Sequence, residues 1–304
     1  MPDIFSIGEP LVELNQPAPG EPFIEGFGGD TSNAMIAAAR LGASAGYFTA
    51  VGADRFGQAL ADLWEREGVD ARRVIVNGGA HTGLYFVTHG PNGHEFSYLR
   101  AGSAASRIVE SDLPKDLVRA AKILHVSGIS QAISSSAADV VFEAMAIARE
   151  AKVLVSYDTN LRLKLWPLPR ARAIINAAMG ACDIAFPSLD DARALTGQQD
   201  PDTIVDFYLE LGAEIVALKL GSEGSLVATR ERREKFGALK VKAVDATGAG
   251  DAFDGAFLTE LLAADDPFRA GRFANVAAAL STRGFGAVAP LPRRDEVEAV
   301  LAKG

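Results

Sequence analysis

The sequence predicts an α/β fold, with a mostly parallel central sheet under packed helices and a small β-sheet lid standing off it. Short apolar runs of β type alternate with longer segments of helical period along nearly the whole chain. Residues 11–27 and 82–100 interrupt that alternation with period-2 patterning, the mark of an inserted antiparallel element. With 304 residues the chain exceeds one ordinary domain of roughly 150. No repeat, low-complexity tract or charge block marks a linker, so residues 1–304 read as one large α/β domain whose lid comes from 11–27 and 82–100.

In order, the first strand is expected at 4–7, a helix over 31–41, a strand at 46–51 and a helix over 56–64. The lid follows, where Gly83-Leu84-Tyr85-Phe86-Val87 and Glu95-Phe96-Ser97-Tyr98-Leu99 flank the turn Gly90-Pro91-Asn92-Gly93 as a hairpin. The second half repeats the alternation with strands at 123–126, 153–157, 184–186 and 215–219. Helices over 135–151, 169–179 and 201–211 lie between them. A further helical pattern, with Phe253, Ala256, Phe257 and Leu261 on one face, opens at about Asp251.

Apolar residues make up 48% and charged residues 23%, enough to bury a core and too apolar for a disordered chain. Thirty Lys and Arg against 39 Asp and Glu give a net charge of −9. That balance excludes nucleic acid and an anionic membrane as the main partner, so an anionic ligand must be held by local groups. Cys182 is the single cysteine and permits no internal disulfide. The start Met1-Pro2-Asp3-Ile4 lacks a basic, apolar leader and no segment reaches the roughly 18 apolar residues of a membrane span, which reads as a cytoplasmic protein. His81, His89, His94 and His125 show no metal-ligand spacing.

The most informative segment is Asp245-Ala246-Thr247-Gly248-Ala249-Gly250-Asp251. Glycines around Ala249 let backbone amides converge at a helix start, an anion site suited to phosphate. It is neither a Walker A loop nor a dinucleotide fingerprint. Asp251 reads either as the helix N-cap or as a base accepting a hydroxyl proton beside a transferred phosphoryl group; the helix dipole favours its ionised form. Gly28-Gly29-Asp30-Thr31-Ser32-Asn33 reads either as a turn with a cap or as a backbone that approaches a small polyol, with Asn33 offering a donor and an acceptor.

These two segments resemble the signatures of the ribokinase-like, or PfkB, family of sugar kinases. The likeness rests on Gly28, Gly29, Asn33, Ala37, Leu41 and Gly42, and on the stretch from Asp245 to Phe253. It spans essentially the whole chain and implies a three-layer α/β/α fold, ATP and Mg²⁺. It also makes Asp251 the base and Gly248, Ala249 and Gly250 the anion hole. By the same likeness Lys219, Gly221, Ser222 and Gly224 form a nucleotide loop, and Asn275 and Ala278 border the adenine and ribose. The family's Asn-x-x-Glu is replaced by Ser188-Leu189-Asp190-Asp191, so Ser188 falls at the nucleotide and Asp191 reaches the metal through water. A monovalent cation, K⁺, near Asp245, Thr247 and residues 281–286 belongs to the same expectation.

Period-2 alternation puts Tyr98 and Arg100 on one face, joined by Tyr85. Asp158-Thr159-Asn160-Leu161-Arg162 follows a strand at the carboxyl edge, where open α/β sheets bind ligands. Two arginines toward one cleft suit a carboxylate better than a neutral sugar. Tyr98-x-Arg100-x-x-Ser103-Ala104-Ala105 and Asp158-x-Asn160-x-Arg162-x-x-Leu165-Trp166 resemble the 2-keto-3-deoxygluconate kinase subgroup. There Gly29, Tyr85, Tyr98, Arg100 and Arg162 meet the sugar acid, and Asn160 and Arg162 also reach the nucleotide phosphates. Glu13 stands where neutral-sugar relatives often carry an Asp for sugar hydroxyls. Fructokinase, ribokinase and a non-catalytic sugar sensor are the alternatives. The lid's free edges and apolar faces suggest a homodimer.

Overall fold

Ile4, Phe5 and Ile7 divide between two apolar cores, Ile4 to one side and Phe5 and Ile7 to the other. Leu124 and Val126 oppose Ile123 in the same way, as do Val216 and Leu218 against Ala217. Strands buried on both faces read as continuous apolar runs, which is why they stood out. The computed structural model describes residues 1–90 and 93–303. Its main sheet has 8 strands in the order Arg233–Phe236, Ser225–Ala228, Ile215–Lys219, Ile184–Phe186, Leu154–Asp158, Ile123–Ser127, Ile4–Ile7 and Ala45–Phe48. Pairing is parallel from Ile215–Lys219 to Ala45–Phe48, and the two remaining strands add an antiparallel edge.

One core packs the sheet against helices Ser135–Glu150, Leu168–Met179 and Pro201–Leu211. The other packs it against Asp30–Arg40, Ala249–Ala264 and Pro267–Ser281. The result is a three-layer α/β/α sandwich. Phe186 fixes the Ala249–Ala264 helix to the sheet through edge contacts with Phe257 at 5.2 Å and Phe253 at 6.2 Å; truncating Phe257 removes a payload of about 3–5 kcal/mol.

The second sheet has 4 strands in the order Ile24–Gly28, Leu11–Gln16, Leu84–Gly90 and Gly93–Leu99. Leu11–Gln16 pairs in parallel with Leu84–Gly90, so the two interrupting stretches join into one element. Leu84–Gly90 and Gly93–Leu99 pair antiparallel as the hairpin expected, with Tyr85 opposite Tyr98; Pro91 and Asn92 of its turn lie outside the described residues. Two expectations need correction. The strand expected at 46–51 divides into Ala45–Phe48 and Ala50–Gly52, the latter pairing with Ile75–Asn77 in a separate two-stranded sheet. The helix expected to open at about Asp251 opens instead at Ala249, because Gly248 caps it in the left-handed region at φ 76 with no side-chain cap bond.

Candidate active site

The parallel strands end on a cleft of about 1050 Å³, at the edge where such sheets bind ligands. Gly28, Gly29, Asn33, Tyr85, Tyr98, Arg100, Asn160, Arg162, Ser188, Asp191, Lys219, Gly221, Gly248, Gly250 and Asp251 all border it. Ala249, Ser222, Gly224, Asn275 and Ala278 do not border it. The Asn275 amide donates to Ser225 Oγ at 3.1 Å and Phe236 O at 3.3 Å, tying its helix to the antiparallel edge. Gly224 is required by packing: its φ is +100, and a Cβ there would lie 1.9 Å from Phe236 O.

Gly248 is held equally tightly, since a Cβ would meet Ala287 at 2.9 Å. The helix start is thereby pressed onto Ala287, and Gly248 and Gly250 border the cleft there. The Ala249 amide is engaged by Ala246 O at 3.2 Å, so of the expected anion hole it is the one already occupied. Asp251 stands inside the first helical turn, and its Oδ2 accepts from Asn33 Nδ2 at 2.8 Å. It is therefore not a cap. Burial first, then the neighbouring Asp30 carboxylate, raise its pKa to about 7; these outweigh the helix dipole expected to keep it ionised. A carboxylate with that value is poised to accept a proton near neutral pH.

The polar floor extends beyond the two signatures. Asp30 Oδ2 accepts from Ser127 Oγ and from Asn160 Nδ2 at 3.0 Å. Asn160 takes the unusual φ of 28, the strain that accompanies a functional turn. Asp30 Oδ1 and Asn33 Oδ1 are buried without a partner among the described residues, two acceptors suited to hydroxyl donors. Lys219 Nζ lies 3.0 Å from Asp158 Oδ2 and 3.1 Å from Asp254 Oδ1. Burial opposes charge on this pair of acids; Lys219 holds Asp158 below the usual carboxylate range, while burial and the Asp158 carboxylate push Asp254 up. Lys219, expected in a nucleotide loop, is thus already balanced by these acids.

Arg100 is balanced too. Its guanidinium bonds Glu9, at 2.7 Å through Nε, and Ser103 Oγ donates to the other Glu9 oxygen at 2.6 Å. The ring pair expected on the lid is present: Tyr85 and Tyr98 stack at 6.0 Å, and the Arg100 guanidinium lies 5.8 Å from the Tyr98 ring centre. Glu13 is absent from the cleft lining and sits behind Tyr85, whose hydroxyl donates to it. Its acid is therefore turned away from a ligand in the cleft.

Ser188 caps the Leu189–Thr196 helix by accepting from the Asp191 amide at 3.2 Å. Asp191 Oδ2 accepts from the Leu161 amide at 3.0 Å and from Thr159 Oγ1 at 3.2 Å. Among the described residues no group of three or more acidic, His or Cys side chains could hold a metal. The donor set fits Mg²⁺ carried mainly by phosphate and water, with one protein carboxylate nearby. Asp245 accepts from the Thr247 amide and hydroxyl and from the Gly286 amide at 2.9, 2.7 and 2.9 Å, which joins the anion loop to the 285–289 segment.

Sequence reasoning missed Glu9, Asp30 and Asp254. Glu9 and Asp30 follow strand ends at the ligand edge, and Asp254 lies three residues after Asp251; those positions were the available signals.

A carboxylate just inside a helix whose start is shaped for an anion, under a cleft of polyol polarity, defines a phosphotransferase with an alcohol acceptor. The family model for pfkB carbohydrate kinases matches residues 1–294, and the chain belongs to that family. Among similar proteins, 2-dehydro-3-deoxygluconokinase of Thermoproteus tenax is 36% identical over 97% of this chain and 94% of its own length. That of Bacillus subtilis is 33% identical over 92% and 88%, and probable fructokinase-7 of Arabidopsis thaliana 35% over 90% and 83%. Among solved structures, a ribokinase II candidate from E. coli with ATP and Mg²⁺ matches with TM-score 0.92 and 26% identity over 100% of both chains. Vibrio cholerae O395 fructokinase with fructose, ADP and potassium matches with TM-score 0.88 and 29% identity over 97% of both. No helix among the described residues is long and apolar enough to cross a membrane.

Proposed function

We propose that this sugar kinase phosphorylates 2-keto-3-deoxygluconate at its terminal hydroxyl, giving the 6-phosphate, with ATP as donor. The observation that carries the reading is that Arg100 and Arg162 border the same cleft as Asp251, with Tyr85 and Tyr98 between the small sheet and that cleft. Two arginines and a proton acceptor around one cleft suit a ligand with an acid group and a reactive hydroxyl.

In this reading Asp251 accepts the hydroxyl proton while Asn33 holds its Oδ2, and the freed oxygen bonds to the γ-phosphorus as the bond to the β-phosphate oxygen breaks. Gly28 and Gly29 leave room for the sugar chain. In this reading the amides of Gly248 and Gly250 would face the transferring group, with the paired Lys219 beside Gly250 at the floor. Asn160, Arg162, Ser188 and Gly221 border the donor's phosphates. Mg²⁺, when bound, neutralises those phosphates, and Asp191 would hold it through water; K⁺ would lie by the Asp245–Thr247 loop. Fructose is the second reading, favoured by the fructokinase relative. The exposed apolar residues Phe23, Ile24 and Leu99 on the small sheet support pairing of two copies there, which solution mass measurement tests.

Coupled ADP release against a panel of sugar acids and neutral sugars is the test. Turnover of 2-keto-3-deoxygluconate well above fructose and ribose is expected; preference for a neutral sugar would sink the substrate assignment.

A further inference from the structure

The cations of the cleft are not equally available. Arg100 is closed on Glu9, and Lys219 is shared by Asp158 and Asp254. Arg162 and Lys164 also border the cleft, and among the described residues neither pairs with a carboxylate. An incoming acid gains less from a cation already balanced by a buried carboxylate than from one that is free, because the existing pair competes with the new one. Arg162 is felt by the Asp30 and Asp191 carboxyls, so the unbalanced charge of the cleft lies on Lys164 and not on the small sheet.

Lys164 is placed by its backbone. Leu161 and Trp166 are buried on either side of it, the Leu161 amide donates to Asp191, and the Leu165 amide closes a turn onto Arg162 O at 2.9 Å. Arg162 directs one nitrogen back to Leu161 O at 2.9 Å. Lys164 Nζ instead reaches across to the small sheet and lies 5.9 Å from the centre of the Tyr98 ring, the ring that Arg100 also flanks. A π face attracts an ammonium without consuming its N–H donors. Those donors are left for a ligand between the two walls.

We propose that Lys164 is a specificity-determining residue, supplying the free positive charge that selects an acceptor with a carboxylate, with Tyr98 fixing where the ammonium sits. The inference rests on the sugar-acid reading above. Arg100, held by Glu9, shapes the site and presents its remaining donors. Lys164 supplies the charge difference between an acid and a neutral sugar.

Lys164→Met and Lys164→Arg test it by steady-state kinetics with 2-keto-3-deoxygluconate and with fructose, varying acceptor and ATP separately. Lys164→Met is expected to raise KM for the sugar acid about tenfold and to leave kcat, KM for ATP, KM for fructose and the unfolding temperature close to wild type. Lys164→Arg recovers most of the loss. An unchanged KM for the sugar acid overturns the proposal, and so does an equal rise for fructose or a rise confined to ATP. A wild-type enzyme that ignores the sugar acid overturns both this proposal and the reading beneath it. A wild-type enzyme that prefers the acid, with an indifferent Lys164→Met, overturns the proposal alone.

Discussion

Replacing Asp251 by Asn should make the enzyme nearly inactive and the protein more stable, and the gain should depend on pH. In the folded chain burial and Asp30 raise the Asp251 pKa from 3.8 to about 7. Below pH 4 the carboxyl is protonated in folded and unfolded chains alike and contributes nothing to the difference. Between pH 4 and 7 the unfolded chain ionises while the folded one stays protonated, so wild-type stability falls progressively, by at most about 4 kcal/mol once pH passes 7. Asn avoids that loss and still offers Oδ1 to Asn33 Nδ2. At roughly 2 °C per kcal/mol for a chain of this size, the variant should unfold several degrees above wild type at pH 8 and at the same temperature near pH 4. Scanning calorimetry of both proteins from pH 4 to 8 measures the gap. A gap independent of pH, or a variant less stable at pH 8, would refute the electrostatic account of Asp251. On the kinetic side the variant should lose about 10²–10⁴ in kcat, and wild-type kcat/KM should climb with pH through about 7 as the base ionises.

Arg100→Ala should raise KM for the sugar acid more than for fructose, and should also cost about 3 kcal/mol at neutral pH because it strands the buried Glu9. Burial already raises the Glu9 pKa despite Arg100, so the penalty shrinks as pH falls and Glu9 takes a proton; adding Glu9→Gln should restore stability and leave KM high, which thermal unfolding and kinetics together check. Gly224→Ala should lower stability by about 2–4 kcal/mol, through positive φ and the contact with Phe236 O, while KM for ATP in the surviving folded fraction stays near wild type. A selective rise in KM for ATP would return Gly224 to the nucleotide site.

The layers were legible where a residue's local chemistry agrees with its burial. Ile184–Phe186 and Ile215–Lys219 occupy their expected bounds because both faces of those strands are buried. Pro201–Leu211 does so because Asp200 caps it from outside and Pro201 takes its first position. The start at Ala249 was displaced because a glycine in the left-handed region replaces the side-chain cap that marks most helix starts. Within the site, motif residues converge on the cleft, but their charge states were not readable from the chain. Glu9 meets Arg100 across 91 residues and Asp254 meets Lys219 across 35; only tertiary structure brings such partners together. Asn275 shows the same limit, since its amide bonds Ser225 and Phe236 across 50 and 39 residues.

The pairing of Lys219 with two buried acids also bears on how reactants arrive. With Arg100, Arg162, Lys164 and Lys219 set against Asp30, Asp158, Asp191 and Asp251 at its walls, and a chain charge of −9, long-range steering of anions into the cleft is expected to be weak. Diffusional encounter with an anionic reactant should then gain little from steering. Added salt, which weakens capture in electrostatically steered enzymes, should leave the association rate here unchanged or faster. If Lys164 selects the acceptor, discrimination would be exercised after contact and not during approach.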